Sequence, residues 1–362
     1  MISFELTEEQ KLAQSMIRAL AGSSLRPAAR DADQHAAIPA SILDQIWATG
    51  IVQSQAAADA DGGSRSAILN ALLLEELAVA DAAFAIAAAA PIGFASAVAA
   101  HGSSQQKNDL LPLFAGDEYH CAGVAIMEPD FRFDVSAMRT AAVRTASGYR
   151  LSGLKAMVPL ADQCSHFLVV AACEGMLDAF IVDRRAKGVA VNDARPKLGL
   201  RALQMANVGL VNVELNSNAR LGNGARCDVQ GIIDSARTAL AAIMAGISRA
   251  VFEFVMPYTK ERVVHGDALA KKQVIAFRLA DMRIETDAMR WMTWKAASIL
   301  EQGGDATRQA QLAYTYAVEQ AMWIADEGVQ MLGGHGYLRD NPVEMWYRDA
   351  RTVSVMEGAV GV

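Results

Sequence analysis

From Ala82 to Ala100 no residue carries a charge, and any fold for this chain must take that stretch out of water. The stretch is mostly alanine, which gains little from lipid. Pro91, Gly93 and Ser96 interrupt it, and Asp81 and His101 bracket it. It reads as two helices buried in a protein core and meeting near Pro91, with no membrane. A chain of 362 residues can hold two or three domains with substantial cores. Its 52% hydrophobic content, rich in Ala, Leu and Met, predicts a mainly helical protein.

The hydrophobic period changes twice along the chain. Residues 1–118 read as helices: Thr7 is an N-cap ahead of Glu8, Glu9 and Gln10, and Pro39 opens a helix carrying Ile42, Leu43, Ile46 and Trp47. Gly62 and Gly63 form a break before Ile68, Leu72, Glu75, Glu76 and Leu77. A turn at His101–Ser103 precedes a helix over Gln105–Phe114. From Tyr119 the segments shorten and alternate. Strands are predicted at Cys121–Met127, Ala137–Arg144, Tyr149–Lys155, Phe167–Ala172, Leu177–Val182 and Val208–Leu215. So many short strands imply a small β barrel or sandwich over residues 119–227. From Asp228 helices return: Ile232–Glu261, a second with Ile275, Leu279, Met282, Met289, Ala296 and Leu300 on one stripe, and a third over Asp305–Met331. The class is α+β, mainly α, in three domains: 1–118, 119–227 and 228–362. Long helices that are apolar on more than one face predict burial against partner subunits as well.

Several functions are excluded or unsupported. A net charge of −7 without a Lys/Arg block gives nucleic acid nothing to bind. The cysteines Cys121, Cys164, Cys173 and Cys227 show no CxxC spacing and read as scattered buried thiols in a reducing compartment. The six histidines form no HExxH, so no metal site is expected. The first residues, MISFELTEEQ, carry neither a basic n-region nor an apolar h-region, so a cytoplasmic protein is expected. No GxGxxG follows a strand, and no GxSxG is present.

The chemistry concentrates near the end. Glu357 stands among Val353, Val355, Met356, Ala359 and Val360, with Gly358 directly after it. A carboxylate buried in such a run is poorly solvated and makes a stronger base, whereas one on the surface near a frayed end does no chemistry. The flanks separate the two readings. Gln330, Gly333, Gly334, Gly336 and Tyr337 are followed by Pro342-Val343-Glu344, then Arg348-Asp349-Ala350, then Glu357-Gly358. This series resembles the C-terminal signature of the acyl-CoA dehydrogenase family, and the likeness extends over essentially the whole chain.

The resemblance implies a helical N-terminal domain, a middle β domain and a C-terminal four-helix bundle. It implies α,β-dehydrogenation of an acyl-CoA thioester to a trans-2-enoyl-CoA, with FAD as cofactor and an electron-transfer flavoprotein as acceptor. By resemblance Glu357 is the base that takes the α-proton, and its backbone N–H polarises the thioester carbonyl. Asp234 and Arg237 match a D-x-x-R pair that supports the base and the acyl pocket, against the plainer reading of a solvated i,i+3 ion pair. The FAD of this family lies across a subunit interface. Its ADP half meets Arg262, His265 (in place of Phe), Gln273, Gln330, Gly333 and Gly334. On the flavin-ring side the chain departs from the family: Met127 replaces a hydroxyl residue, Met157 a tryptophan and Pro159 a second hydroxyl residue. Ala359 and Gly361 stand for the usual Thr and Gln after Glu357-Gly358. Two readings follow: a working acyl-CoA dehydrogenase in a homo-oligomer, or a half-site subunit that completes the FAD site of a second such chain in a heterotetramer. A flavin oxidase or monooxygenase on the same fold is disfavoured by Glu357.

Overall fold

The computed structural model of the chain describes residues 5–57, 66–130, 132–192, 196–222, 226–358 and 360–362. The break expected at Gly62 and Gly63 lies outside them. The first helices are α1 (Glu8–Leu20), α2 (Arg26–His35), α3 (Ala40–Trp47), α4 (Gln53–Ala57), α5 (Ala67–Ala80), α6 (Ala82–His101) and α7 (Ser104–Leu110). Thr7 caps α1 as expected: its hydroxyl accepts from the Gln10 N–H at 3.2 Å, and the Gln10 side chain accepts from the Thr7 N–H.

The uncharged stretch is one helix, not two. Proline lacks the N–H that would bond the Ala87 carbonyl one turn back, which ordinarily breaks a helix. Here the Tyr119 hydroxyl donates to that carbonyl at 3.0 Å, so the freed acceptor keeps a partner and α6 runs on through Pro91. α6 is long and apolar enough to cross a membrane, but 94% of its apolar window is buried in the protein.

The middle of the chain forms β1 (Ala122–Ala125), β2 (Ala141–Arg144), β3 (Gly148–Pro159), β4 (His166–Cys173), β5 (Met176–Asp183), β6 (Val189–Val191) and β7 (Met205–Asn216). These make a single sheet ordered β1-β4-β2-β3-β7-β6, with β5 also on β4, rather than two packed sheets. The β3–β7 register slips between Lys155 and Val158, where Met157 takes a left-handed conformation (φ 54°). Cys121 and Cys164, distant in sequence, lie with their sulfurs 3.3 Å apart at the starts of β1 and β4.

The C-terminal part comprises α8 (Val229–Glu261), a hairpin of β8 (Val263–Val264) and β9 (Asp267–Ala268), α9 (Gln273–Glu301), α10 (Thr307–Leu332) and α11 (Val343–Val353). Two adjacent glutamates of α5, Glu75 and Glu76, are buried between these layers. Arg249 of α8 reaches both, at 2.8 and 2.9 Å, and Arg290 of α9 closes on Glu75 at 2.7 Å.

The sheet is tied to α11 by backbone. Leu200 N–H donates to Asp349 Oδ1 at 2.5 Å and Gly199 N–H to Thr352 Oγ1 at 2.9 Å. A side chain at Gly199 would start 2.0 Å from the Arg348 carbonyl oxygen, so only glycine allows the approach.

One buried cation was not legible in the sequence. Lys155 of β3 is fully enclosed and donates to the Ile126 carbonyl at 2.9 Å and to Glu128 at 3.2 Å. Burial draws its pKa down to about 8, with Glu128 opposing.

Two outcomes are expected. Tyr119→Phe keeps the ring but leaves the Ala87 carbonyl unpaired, and should lower unfolding stability by about 1–3 kcal/mol in urea titrations. For Lys155 the folded pKa lies below the unfolded one, so the unfolded chain holds more protons between about pH 8 and pH 10.5, and stability rises with pH across that window. Lys155→Met should remove that rise, read as the difference between variant and parent denaturation midpoints at pH 7.5 and pH 9.5.

Candidate active site

Glu357 sits just past α11, where the chain leaves the helix and meets the sheet. Its neighbour Gly358 is left-handed (φ 73°), and a side chain there would lie 2.7 Å from Ile126, the residue after β1. Glycine is required on both counts. From the other side the buried Tyr314 hydroxyl of α10 donates to the Met356 carbonyl. Burial, and next the charge of Glu357, push the Tyr314 hydroxyl pKa well above its usual range, so it stays a donor.

Of the two readings of Glu357, buried or at a frayed surface end, the fold is nearer the first. Glu357 is half-buried, and Arg237 Nε donates to its Oε1 at 2.8 Å. Of the two readings of Asp234 and Arg237, the i,i+3 ion pair does not form, and Arg237 stands by Glu357 as the resemblance implies. Asp234 is buried and accepts from Gln230 at 2.7 Å and from the Thr307 hydroxyl at 2.9 Å. The reason is position on α8: Asp234 faces the first residue of α10, whose N-terminal end favours a carboxylate, while Arg237 reaches the chain beyond α11. Burial raises the Asp234 pKa, with those two hydrogen bonds opposing.

Residues 360–362 lie in the groove between α6 and α8. Gly361 N–H donates to the Ala89 carbonyl at 3.2 Å, and Val362 N–H to the Ser235 hydroxyl at 3.0 Å. A cavity of about 810 Å³ opens beside them, lined by Asp234, Thr307, Val360 and Val362 and by small residues of α6 such as Gly93 and Ala97. Thr307 and Tyr314 were not foreseen. Thr307 had a signal as the first polar residue of a helix beside Asp305; Tyr314 had none, because its partner is a backbone carbonyl 42 residues on.

The residues assigned to FAD fall into two groups. On the ring side, Met127 and Met157 are half-buried at the bulge of β3, and Pro159 is buried and paired with Met205. This surface suits the face of a flat ring and offers it no strong side-chain hydrogen bond. Ala359 lies outside the described residues. On the ADP side, Arg262, His265, Gln273, Gln330, Gly333 and Gly334 are all exposed at one end of the bundle. His265 (φ 53°) and Gly266 (φ 83°) form the two-residue turn of the β8–β9 hairpin. Tyr258 of α8 and His335 hydrogen-bond at 3.1 Å, joining the last turns of α8 to the glycine turn after α10. Gly333 adopts φ 57°, ψ −133° with its N–H on the Gln330 carbonyl, and neither glycine has anything near a would-be side chain, so a ligand can approach the backbone closely here. An arginine, a glutamine and an open glycine turn fit a diphosphate.

The Glu357 site and the ADP-side residues stand at opposite ends of α8: Arg237 and Arg262 are separated by 25 residues (262 − 237), or roughly 37 Å at 1.5 Å per residue.

Sequence comparison matches the chain to the acyl-CoA dehydrogenase N-terminal domain over residues 7–118, the middle domain over 123–213 and the C-terminal domain over 222–362. It is 28% identical to the short-chain specific acyl-CoA dehydrogenase of Clostridium acetobutylicum, covering 99% of this chain and 96% of that one. It is 29% identical to the cyclohex-1-ene-1-carbonyl-CoA dehydrogenase of Geobacter metallireducens, covering 98% and 95%. Butyryl-CoA dehydrogenase from Megasphaera elsdenii superposes with a TM-score of 0.88 at 27% identity, covering 99% and 96%. A chain in the structure of the electron transferring flavoprotein of Acidaminococcus fermentans gives 0.89 at 25% identity, covering 99% and 96%.

Arg237→Met removes the side chain that holds the Glu357 carboxylate among the described residues. Turnover should fall by about 10- to 100-fold with KM little changed, as expected for a misplaced base, in steady-state assays on acyl-CoA.

Proposed function

The chain belongs to the acyl-CoA dehydrogenase family, and we propose that it removes the α-proton of an acyl-CoA thioester with Glu357 as the base. The reading is carried by the Arg237–Glu357 bond, which fixes the carboxylate where the bundle meets the sheet. Oε1 is engaged by Arg237, leaving Oε2 to accept the proton. No acceptor for the Glu357 N–H stands among the described residues, so this amide is available to the thioester oxygen on which the enolate charge develops. Asp234 and Thr307 brace α8 against α10 beside the cavity that the acyl end would enter. When bound, FAD supplies the acceptor for the hydride that leaves the β-carbon. Arg262, Gln273, Gln330, Gly333 and Gly334 would hold its diphosphate end, and Met127 and Met157 would face its ring. An electron-transferring flavoprotein is the acceptor we propose, supported by the likeness to the Acidaminococcus chain.

The separation along α8 favours a shared site: the ADP-side residues of this chain serve the flavin of a neighbour. An exposed apolar stripe on α9, Val274, Phe277, Ile284 and Trp291, supports an oligomer. A second reading is favoured by one contrast, between an open glycine turn on the ADP side and a ring side whose Met127, Met157 and Pro159 offer no polar side chain. It makes this chain the half-site subunit of a mixed tetramer.

Glu357→Gln should lower turnover of acyl-CoA by roughly two to four orders of magnitude while binding of the thioester persists. Equal rates for variant and parent would remove Glu357 from the chemistry. The subunit readings separate on flavin content. Purified alone, a self-sufficient chain holds one FAD each, whereas a half-site subunit holds little until a neighbouring chain is co-expressed, and Arg262→Ala then empties the neighbour's site.

A further inference from the structure

A second cavity, of about 540 Å³, lies where α1 and α2 meet α5, α8 and α9, away from Glu357. Five arginines line it: Arg18, Arg26, Arg249, Arg283 and Arg290. Four have carboxylate partners. Arg18 and Arg249 share Glu76, Arg249 and Arg290 share Glu75, Arg283 and Arg290 share Asp287, and Glu253 stands 3.5 Å from Arg249. Five cations against Glu75, Glu76, Glu253 and Asp287 leave one positive charge (5 − 4 = 1), and it belongs to Arg26.

Arg26 pairs with no carboxylate among the described residues. It donates to the Val79 carbonyl at 2.6 Å and lies over the Trp346 ring at 5.2 Å. Burial, with Arg249 adding to it, draws its pKa down, with Glu253 opposing. A half-buried guanidinium without a counter-charge is costly unless an anion completes it. Every other guanidinium of the lining is already engaged by Glu75, Glu76, Glu253 or Asp287, so the excess charge at Arg26 calls for an anion.

We propose that this cavity binds a small oxyanion, a phosphate or polycarboxylate, with Arg26 as its counter-charge. The volume leaves room for a ligand larger than bare phosphate, and the edge-to-face pair Trp291–Trp294, with ring centroids 5.2 Å apart, forms one wall.

Inorganic phosphate and citrate, each titrated into the full chain at constant ionic strength with sodium chloride as control, test the proposal. Tryptophan fluorescence and the thermal midpoint are followed together. A saturable fluorescence change is expected with one or both anions, with a midpoint raised by roughly 2–4 °C at saturation and no such change in chloride. Saturation by phosphate alone, by citrate alone or by both identifies which oxyanion the site takes. Arg26→Gln should weaken the response at least tenfold. A response that follows ionic strength alone, or one unchanged in Arg26→Gln, overturns the proposal.

Discussion

Two adjacent glutamates in the middle of an apolar helix set the terms for the rest of this structure. Glu75 and Glu76 cannot sit in the core as bare charges. They are tolerated because Arg249 arrives from α8 and Arg290 from α9 at hydrogen-bonding distance. Breaking such a set leaves a buried charge uncompensated, which penalises sliding of any one helix against the others. α8 is thereby held in register with α5, and Arg237, twelve residues before Arg249, is held in register with everything at its own end. The position of the candidate base is in this sense decided three turns away from it.

The two ends of α8 carry different chemistry. Near its start are a carboxylate, a guanidinium and a backbone N–H around Glu357, enclosed by helices and sheet. Near its end are exposed glycines and an arginine that face outward. A chain built this way presents a complete catalytic group and an incomplete cofactor cradle, and the other half of each flavin site comes from elsewhere in the assembly we propose.

The sequence exposed the parts that depend on local pattern. The apolar stripe of α9, the Thr7 cap and the Glu357-Gly358 pair could be read because helix period, capping chemistry and motif spacing are written in neighbouring residues. What stayed hidden depends on contacts between distant ones. Pro91 looks like a break until Tyr119, 28 positions later, supplies a hydroxyl for the carbonyl it strands. Asp234 gives no sign that Gln230 and Thr307 will be its partners until the fold brings α10 beside α8. Lys155 looks like a surface lysine in a strand, since nothing near it in sequence announces that Glu128 and the Ile126 carbonyl will enclose it. Met157 gives no sign of a left-handed backbone, because the bulge there is a property of how β3 registers on β7.

The contact at Gly199 has a mechanical meaning. There the loop before β7 touches α11 backbone to backbone at Arg348, and two loop amides hold the Asp349 and Thr352 side chains beside that contact. Any rotation of the sheet away from α11 strains all three contacts at once. The sheet and the helix that leads to Glu357 therefore travel as one rigid body. Opening of the interior to a long thioester has to come from elsewhere, from rotamers and from the few residues that follow Gly358, rather than from a hinge between layers.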